Sequence, residues 1–360
     1  MSSGGQGGRL AIAALCAAIL ALALAACGSS SSDDETSNAS KKVPPPLNGA
    51  GSALIAPLMD RWQVGYEAET GEAVTYRTVK NGLNLRPVAF EKSDFGVSDA
   101  PITPDQFAEG TLLVMLPWAL TGMVIVYNVD GVPPDLRLSP DVLGGIYLGE
   151  IASWDDPAIA ALNPGVQLPS TLITPIVRSD ESGEDYVLTN YLVEYENAHQ
   201  EDFGITRRVF LTTKTGKVVE GGNANALKKT NGSIAIMPLP YARNQGLDIA
   251  LLENPAGEFP VPNAKSLIAG AEQGIRIGPN NEVWSKELPK SAKDAYPLIT
   301  FSYAAVPSYP KRESVKKQLR EFVTYAISPA GQADVESLGF APLPKKIVAV
   351  DKRTMKNIFP

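Results

Sequence analysis

Hydrophobic and polar positions divide the chain into three stretches. Residues 10–26 (LAIAALCAAILALALAA) are an unbroken apolar run of seventeen residues. Residues 28–46 (GSSSSDDETSNASKKVPPP) are polar and acidic and end in three prolines, with almost nothing to bury. From residue 48 onward, short apolar runs alternate with amphipathic segments. Segments 74–79 (VTYRTV), 112–120 (LLVMLPWAL), 123–129 (MVIVYNV), 172–178 (LITPIVR) and 233–239 (SIAIMPL) are predicted as strands. Segment 56–70 (APLMDRWQVGYEAET) places Leu58, Trp62 and Tyr66 at steps of four and is predicted as a helix. Segments 156–163, 184–198 and 313–328 are further helix candidates. This alternation predicts an α/β fold with mainly parallel sheets and no internal repeat. A length of 360 residues accommodates two domains or one large one.

The apolar run is marginal in length for a membrane span. It follows one basic residue, Arg9, and ends in Leu-Ala-Ala-Cys, which fits a secretory signal over residues 1–26. The four residues resemble a bacterial lipobox, which implies cleavage before Cys27 and a lipid on its sulfur. The alternatives are an ordinary signal peptide or an uncleaved anchor. The chain has two cysteines, Cys16 and Cys27. The mature protein is therefore expected to hold no disulfide and no cysteine metal site. Residues 27–47 are predicted to be a disordered tether between membrane and folded domain.

Charge narrows the partners. A formal net charge of -7 leaves no broad basic field for nucleic acid or an anionic membrane surface. A small anion held in a cleft by local donors stays possible. The single histidine, His199, falls on the polar end of a predicted helix. No Walker loop, nucleophile elbow or His/Cys cluster is present, and Ser182 has no evident base, so no enzyme is expected.

Three loops have the character of anion sites, where backbone amides and a helix N-terminus favour negative charge. They are 48–57 (NGAGSALIAP), 95–103 (FGVSDAPIT) and 177–187 (VRSDESGEDYV). Each alone is common in α/β proteins, and Asp99 could be a turn residue or Arg178 a surface ion pair. In this order, however, the loops are similar to those of the phosphate-binding proteins of bacterial ABC transporters (PstS-type). Segment 48–62 (NGAGSALIAPLMDRW) resembles that family's opening, and 94–101 (DFGVSDAP) resembles its Asp-Phe-Gly-x-Ser-Asp-Ala-Pro signature. Segments 146–169 (IYLGEIASWDDPAIAALNPGVQLP), 297–300 (PLIT) and 338–344 (LGFAPLP) extend the likeness over roughly residues 48–350.

The resemblance implies a two-lobed periplasmic-binding-protein fold (type II-like) hinged by two crossover segments. Residues 48–122 and 300–360 would form lobe one, and 123–299 lobe two. The protein would work as an extracytoplasmic monomer, lipid-anchored through Cys27, without cofactor or metal. It would carry inorganic phosphate or a related anion to an ABC permease. By the same resemblance Arg178 makes paired bonds to the oxyanion, Asp180 orients it, and Asp99 accepts the ligand's proton. Ser182 and Gly183 supply a hydroxyl and an amide, and Ala53 and Leu54 supply amides.

Three positions depart from the family. Ala53 and Leu54 stand where a threonine and a phenylalanine are usual, which removes a hydroxyl. Asn81, in 80–87 (KNGLNLRP), replaces a serine, and Pro87 falls where a helix should continue. Glu184 replaces a threonine. A carboxylate about 4 Å from one anionic charge costs roughly 4 kcal/mol at an effective dielectric of about 20. Four outcomes are open for Glu184. It turns outward as a first-turn acid beside Asp185, it pairs with Lys80, Arg86 or Arg178, it is protonated or meets a more protonated ligand, or the cleft holds another solute. A diverged cleft would make the protein a sensor or interaction lipoprotein instead of a carrier of phosphate.

Overall fold

The computed structural model describes residues 44–79, 92–101, 112–180, 182–195, 204–205, 217–219, 224–279, 281–286, 288–310 and 312–359. Cys27, the signal and nearly all of the tether, Lys80, Asn81, Arg86 and His199 lie outside the described residues. Thirteen strands are described: β1 (Leu47–Gly51), β2 (Val74–Thr78), β3 (Phe95–Ser98), β4 (Leu113–Asn128), β5 (Arg137–Leu138), β6 (Thr174–Arg178), β7 (Lys217–Val219), β8 (Ser233–Pro238), β9 (Asp248–Ile249), β10 (Leu251–Leu252), β11 (Ile275–Ile277), β12 (Val283–Ser285) and β13 (Ile299–Pro307). Nine of them form one sheet in the order β2-β1-β3-β13-β4-β8-β6-β7, with β9 also on β4.

The ends of this sheet pair in parallel, β1 with β2 and β3, and β6 with β7 and β8. Its middle does not. β13 runs antiparallel to β3 and β4, and β4 antiparallel to β8. The expectation of mainly parallel pairing thus holds at the flanks and fails where long strands carry the chain from one half to the other. β4 is the longest of these, and the apolar runs 112–120 and 123–129 are one continuous strand. Thr121-Gly122 joins them without a turn. A β-carbon on Gly122 would lie 2.7 Å from Leu267 Cδ2, so the glycine marks close packing of a side chain, not a break. β4 pairs with β13 up to Gly122 and with β8 from Met123.

Aromatic rings gather in two places within one continuous buried core. The 56–70 helix forms over the residues its periodicity predicts, and it ends at Gly71, whose φ of 72° makes a left-handed cap. It buries Leu58, Met59, Trp62 and Tyr66. Trp62 meets Trp118 edge-on at 5.1 Å, and Trp118 also meets Phe95 at 5.8 Å and Phe322 at 6.0 Å. Phe322 comes from the Glu313–Ala326 helix. Truncating such a ring to alanine costs about 3–5 kcal/mol. On the other side, Trp154 packs on Tyr127 at 5.8 Å, and the Gly183–Glu194 helix buries Leu188, Tyr191 and Leu192. Among the described residues no helix is long and apolar enough to cross a membrane.

Candidate functional site

β1 ends at Gly51, where a β-carbon would stand 2.3 Å from the Val97 carbonyl oxygen, so only glycine allows β1 to lie this close to β3. The Ser52 amide then donates to that carbonyl at 3.1 Å and the chain turns into the 56–70 helix. The Ser52 hydroxyl is buried and used twice. It accepts from the Leu54 amide at 3.0 Å and donates to Asp99 Oδ2 in a short bond. Tyr76 donates its hydroxyl to the Ser52 carbonyl at 2.7 Å. Ala53 is exposed and Leu54 half-buried, and the helix start has no side-chain cap.

Asp99 directly follows β3. Its carbonyl accepts from the Thr300 hydroxyl on β13 at 2.7 Å, and Ser98 closes the turn by donating to the Ala100 carbonyl at 2.7 Å. With Oδ2 bonded to Ser52, Asp99 Oδ1 is sealed from solvent and has no hydrogen-bond partner among the described residues. Burial pushes the Asp99 carboxyl up to about 7. The Ser52 bond pulls it back, the Glu184 charge raises it further, and Arg178 lowers it.

Arg178 is the last residue of β6. Its Nε and Nη2 donate to the two oxygens of Asp180 at 3.0 and 2.6 Å, a two-pronged pairing that fixes the guanidinium plane. Its Nη1 lies 3.7 Å from Glu184 Oε1. Ser182 caps the following helix by accepting from the Asp185 amide at 3.0 Å. The amides of Gly183 and Glu184 are in the first turn and have no acceptor within the helix. Gly183 touches the opposite wall, since a β-carbon there would stand 2.9 Å from Asp99 Cβ.

Ser52, Asp99, Arg178, Asp180, Ser182, Gly183 and Glu184 are therefore gathered at one place, from both flanks of the sheet. Asn81 and Cys27 lie outside the described residues. Among the four outcomes left open for Glu184, the side chain turns inward, only 17% exposed, and faces Arg178. Ser52 was missed by sequence reasoning, which looked for a hydroxyl at position 53. A serine directly after Gly51, one residue early, was the available signal. Among the described residues no group of His, Cys, Asp or Glu could hold a metal ion.

The profile of the PBP superfamily domain matches residues 29–330. The chain is also 31% identical over 320 residues to the phosphate-binding protein PstS of Haemophilus influenzae, covering 86% of this chain and 92% of that one. The chain belongs to the PstS family. Two solved structures agree in fold. The high-affinity periplasmic phosphate-binding protein PfluDING, bound with phosphate, matches with a TM-score of 0.68 at 20% identity, over 86% of this chain and 93% of that one. The phosphate binding protein of Stenotrophomonas maltophilia matches with a TM-score of 0.64 at 18% identity, over 86% and 94%. The fold is thus the two-lobed periplasmic-binding-protein fold of the PstS family, whose relatives are named as binding proteins and not as enzymes.

Proposed function

We propose that this PstS-family chain captures inorganic phosphate, or a related oxyanion, in a cleft between two lobes and delivers it to the permease of an ABC importer. Arg178 carries the reading. A guanidinium held flat by Asp180, beside two first-turn amides and facing the proton-accepting Asp99, matches a tetrahedral oxyanion in shape and charge. Ser182 adds a hydroxyl, Ser52 uses its own proton to hold Asp99 and takes up the Leu54 amide, and the Ala53 amide lies in the turn before the opposite helix. The relatives' names support the ligand class.

The lobes proposed are 48–122 with 300–360, and 123–299. The change of partner along β4 at Gly122/Met123 supports that boundary, and closure of such lobes around a ligand is a known mode of switching. Lipid anchoring at Cys27 and an extracytoplasmic, monomeric state complete the proposal, on the lipobox-like sequence and the polar tether.

A second reading is favoured by one observation, the inward Glu184 carboxylate 3.7 Å from Arg178. In that reading the cleft has lost phosphate, and the protein is a sensor or binds another solute. Calorimetry with inorganic phosphate on phosphate-free protein separates the two. Micromolar or tighter binding supports the receptor, and no heat with either phosphate or arsenate removes it. Labelling of Cys27 by a radioactive fatty acid in a bacterial host tests the anchor, with Cys27→Ala as the expected negative.

A further inference from the structure

The Glu184 carboxylate has no role in the receptor as described so far, yet its place is specific. Asp180 occupies Nε and Nη2 of Arg178, and Glu184 Oε1 borders the remaining nitrogen at 3.7 Å. From the opposite wall Asp99 keeps one oxygen on Ser52 and holds the other sealed and unpartnered among the described residues. Gly183, which precedes Glu184, is in contact with Asp99 itself. Two carboxylates, one from each wall, therefore meet across the Gly183 contact, Glu184 beside the guanidinium and Asp99 within reach of its charge.

A carboxylate can only accept a hydrogen bond. A tetrahedral oxyanion that touches both must offer a hydroxyl to each. Dihydrogen phosphate has two hydroxyls and one negative charge. Hydrogen phosphate has one hydroxyl and two charges, and sulfate has no hydroxyl at all. We propose that Glu184 is a specificity-determining residue that makes this cleft select dihydrogen phosphate, with Glu184 and Asp99 each accepting one ligand hydroxyl beside Arg178. This deepens, and rests on, the reading of the cleft as a phosphate site. The balance is the same wherever each proton sits, because the complex holds one proton more than hydrogen phosphate brings.

Arg178 and two tyrosines near the pair keep their charge states in the relevant range. Asp180 stays paired to Arg178, whose guanidinium is held above its ordinary value by the Glu184 and Asp180 charges against the opposing effect of burial. Asp185 follows Glu184 in the helix and is buried. Tyr147, from the Pro140–Leu148 helix, is pushed up by burial and by Asp185. Tyr76, beside Asp99, is pushed up by burial and by the Asp99 charge.

The test is calorimetry with inorganic phosphate, from about pH 5.5 to about pH 8.5 at constant ionic strength, on wild type, Glu184→Gln and Glu184→Thr. Buffers of different ionisation enthalpy report the protons taken up. Wild-type affinity for total phosphate should fall about tenfold per pH unit above the ligand's second ionisation, as uptake of one proton requires. Both variants should lose most of this slope, bind at least about tenfold tighter than wild type at the alkaline end, and take up about one proton fewer. Equal slopes and equal proton uptake in the three proteins would overturn the proposal and leave the phosphate site standing. Failure of all three to bind phosphate at any pH would overturn the phosphate reading and the proposal with it. Glu184→Gln, nearly isosteric, keeps the comparison usable should the threonine variant fold poorly.

Discussion

The two walls of the cleft are built on different principles. The wall from β1 and β3 is held by neutral hydrogen bonds. Ser52 and Thr300 donate to one carboxylate oxygen and to the carbonyl of Asp99, and Tyr76 holds the Ser52 carbonyl, within a buried setting. The wall from β6 and the Gly183–Glu194 helix is held by charge. Arg178, Asp180 and Glu184 face one another, each about one-fifth exposed or less. The difference teaches where the chain has room to diverge. Replacing a group in the first wall strands a buried donor or acceptor, which costs about 1–3 kcal/mol. Replacing one in the second changes the charge count and so the ligand's preferred protonation, while the backbone cradle stays intact.

The largest effect should come from the charged wall. Arg178→Gln leaves Asp180 and Glu184 without their cation and should weaken phosphate binding about a thousandfold, which corresponds to about 4 kcal/mol. Calorimetry reads this directly, and a loss under tenfold would show that Arg178 does not meet the ligand. Next comes the contact between the walls. The new methyl of Gly183→Ala would collide with Asp99 at 2.9 Å. Forcing the walls apart should cost about 1–3 kcal/mol, or roughly tenfold to a hundredfold in affinity. Small-angle scattering with phosphate should then give a more open particle than wild type.

Ser52→Ala probes the neutral wall. It leaves Asp99 Oδ2 unpaired and removes the bond that pulls the Asp99 carboxyl down, so Asp99 should titrate above about 7. The expected loss is about tenfold in phosphate affinity, in line with about 1–2 kcal/mol for a stranded buried acceptor. An NMR titration of the Asp99 carboxyl carbon checks the direction, and a downward shift would contradict the assigned bond. The smallest effect belongs to Asp180→Asn. It weakens an ion pair that is about one-fifth exposed, so a few-fold loss, roughly 1 kcal/mol or less, is expected from fluorescence-monitored phosphate titration.

Much of this comparison was legible before any coordinates. The 56–70 helix forms on the residues that its steps of four mark, and Ser52, Asp99 and Gly183, from the three candidate loops, do converge. Those features depend on local periodicity and on motifs with fixed loop geometry. Three things were not legible, each for a physical reason. Gly122 looks like a break in an apolar run, but Leu267 needs the space a side chain would fill, and β4 passes straight through. The antiparallel middle of the sheet depends on how two long strands cross between halves, which the alternation of strands and helices does not encode. The inward turn of Glu184 and the Ser52–Asp99 bond join residues from separate elements. First-turn acids stabilise a helix equally well pointing outward, so sequence left both directions open.

Native mass spectrometry of freshly purified protein, beside Arg178→Gln prepared in parallel, tests the central claim most directly. One inorganic phosphate should be retained per wild-type monomer and lost from the Arg178→Gln variant. Retention of a different solute, or of phosphate equally by both proteins, would contradict it.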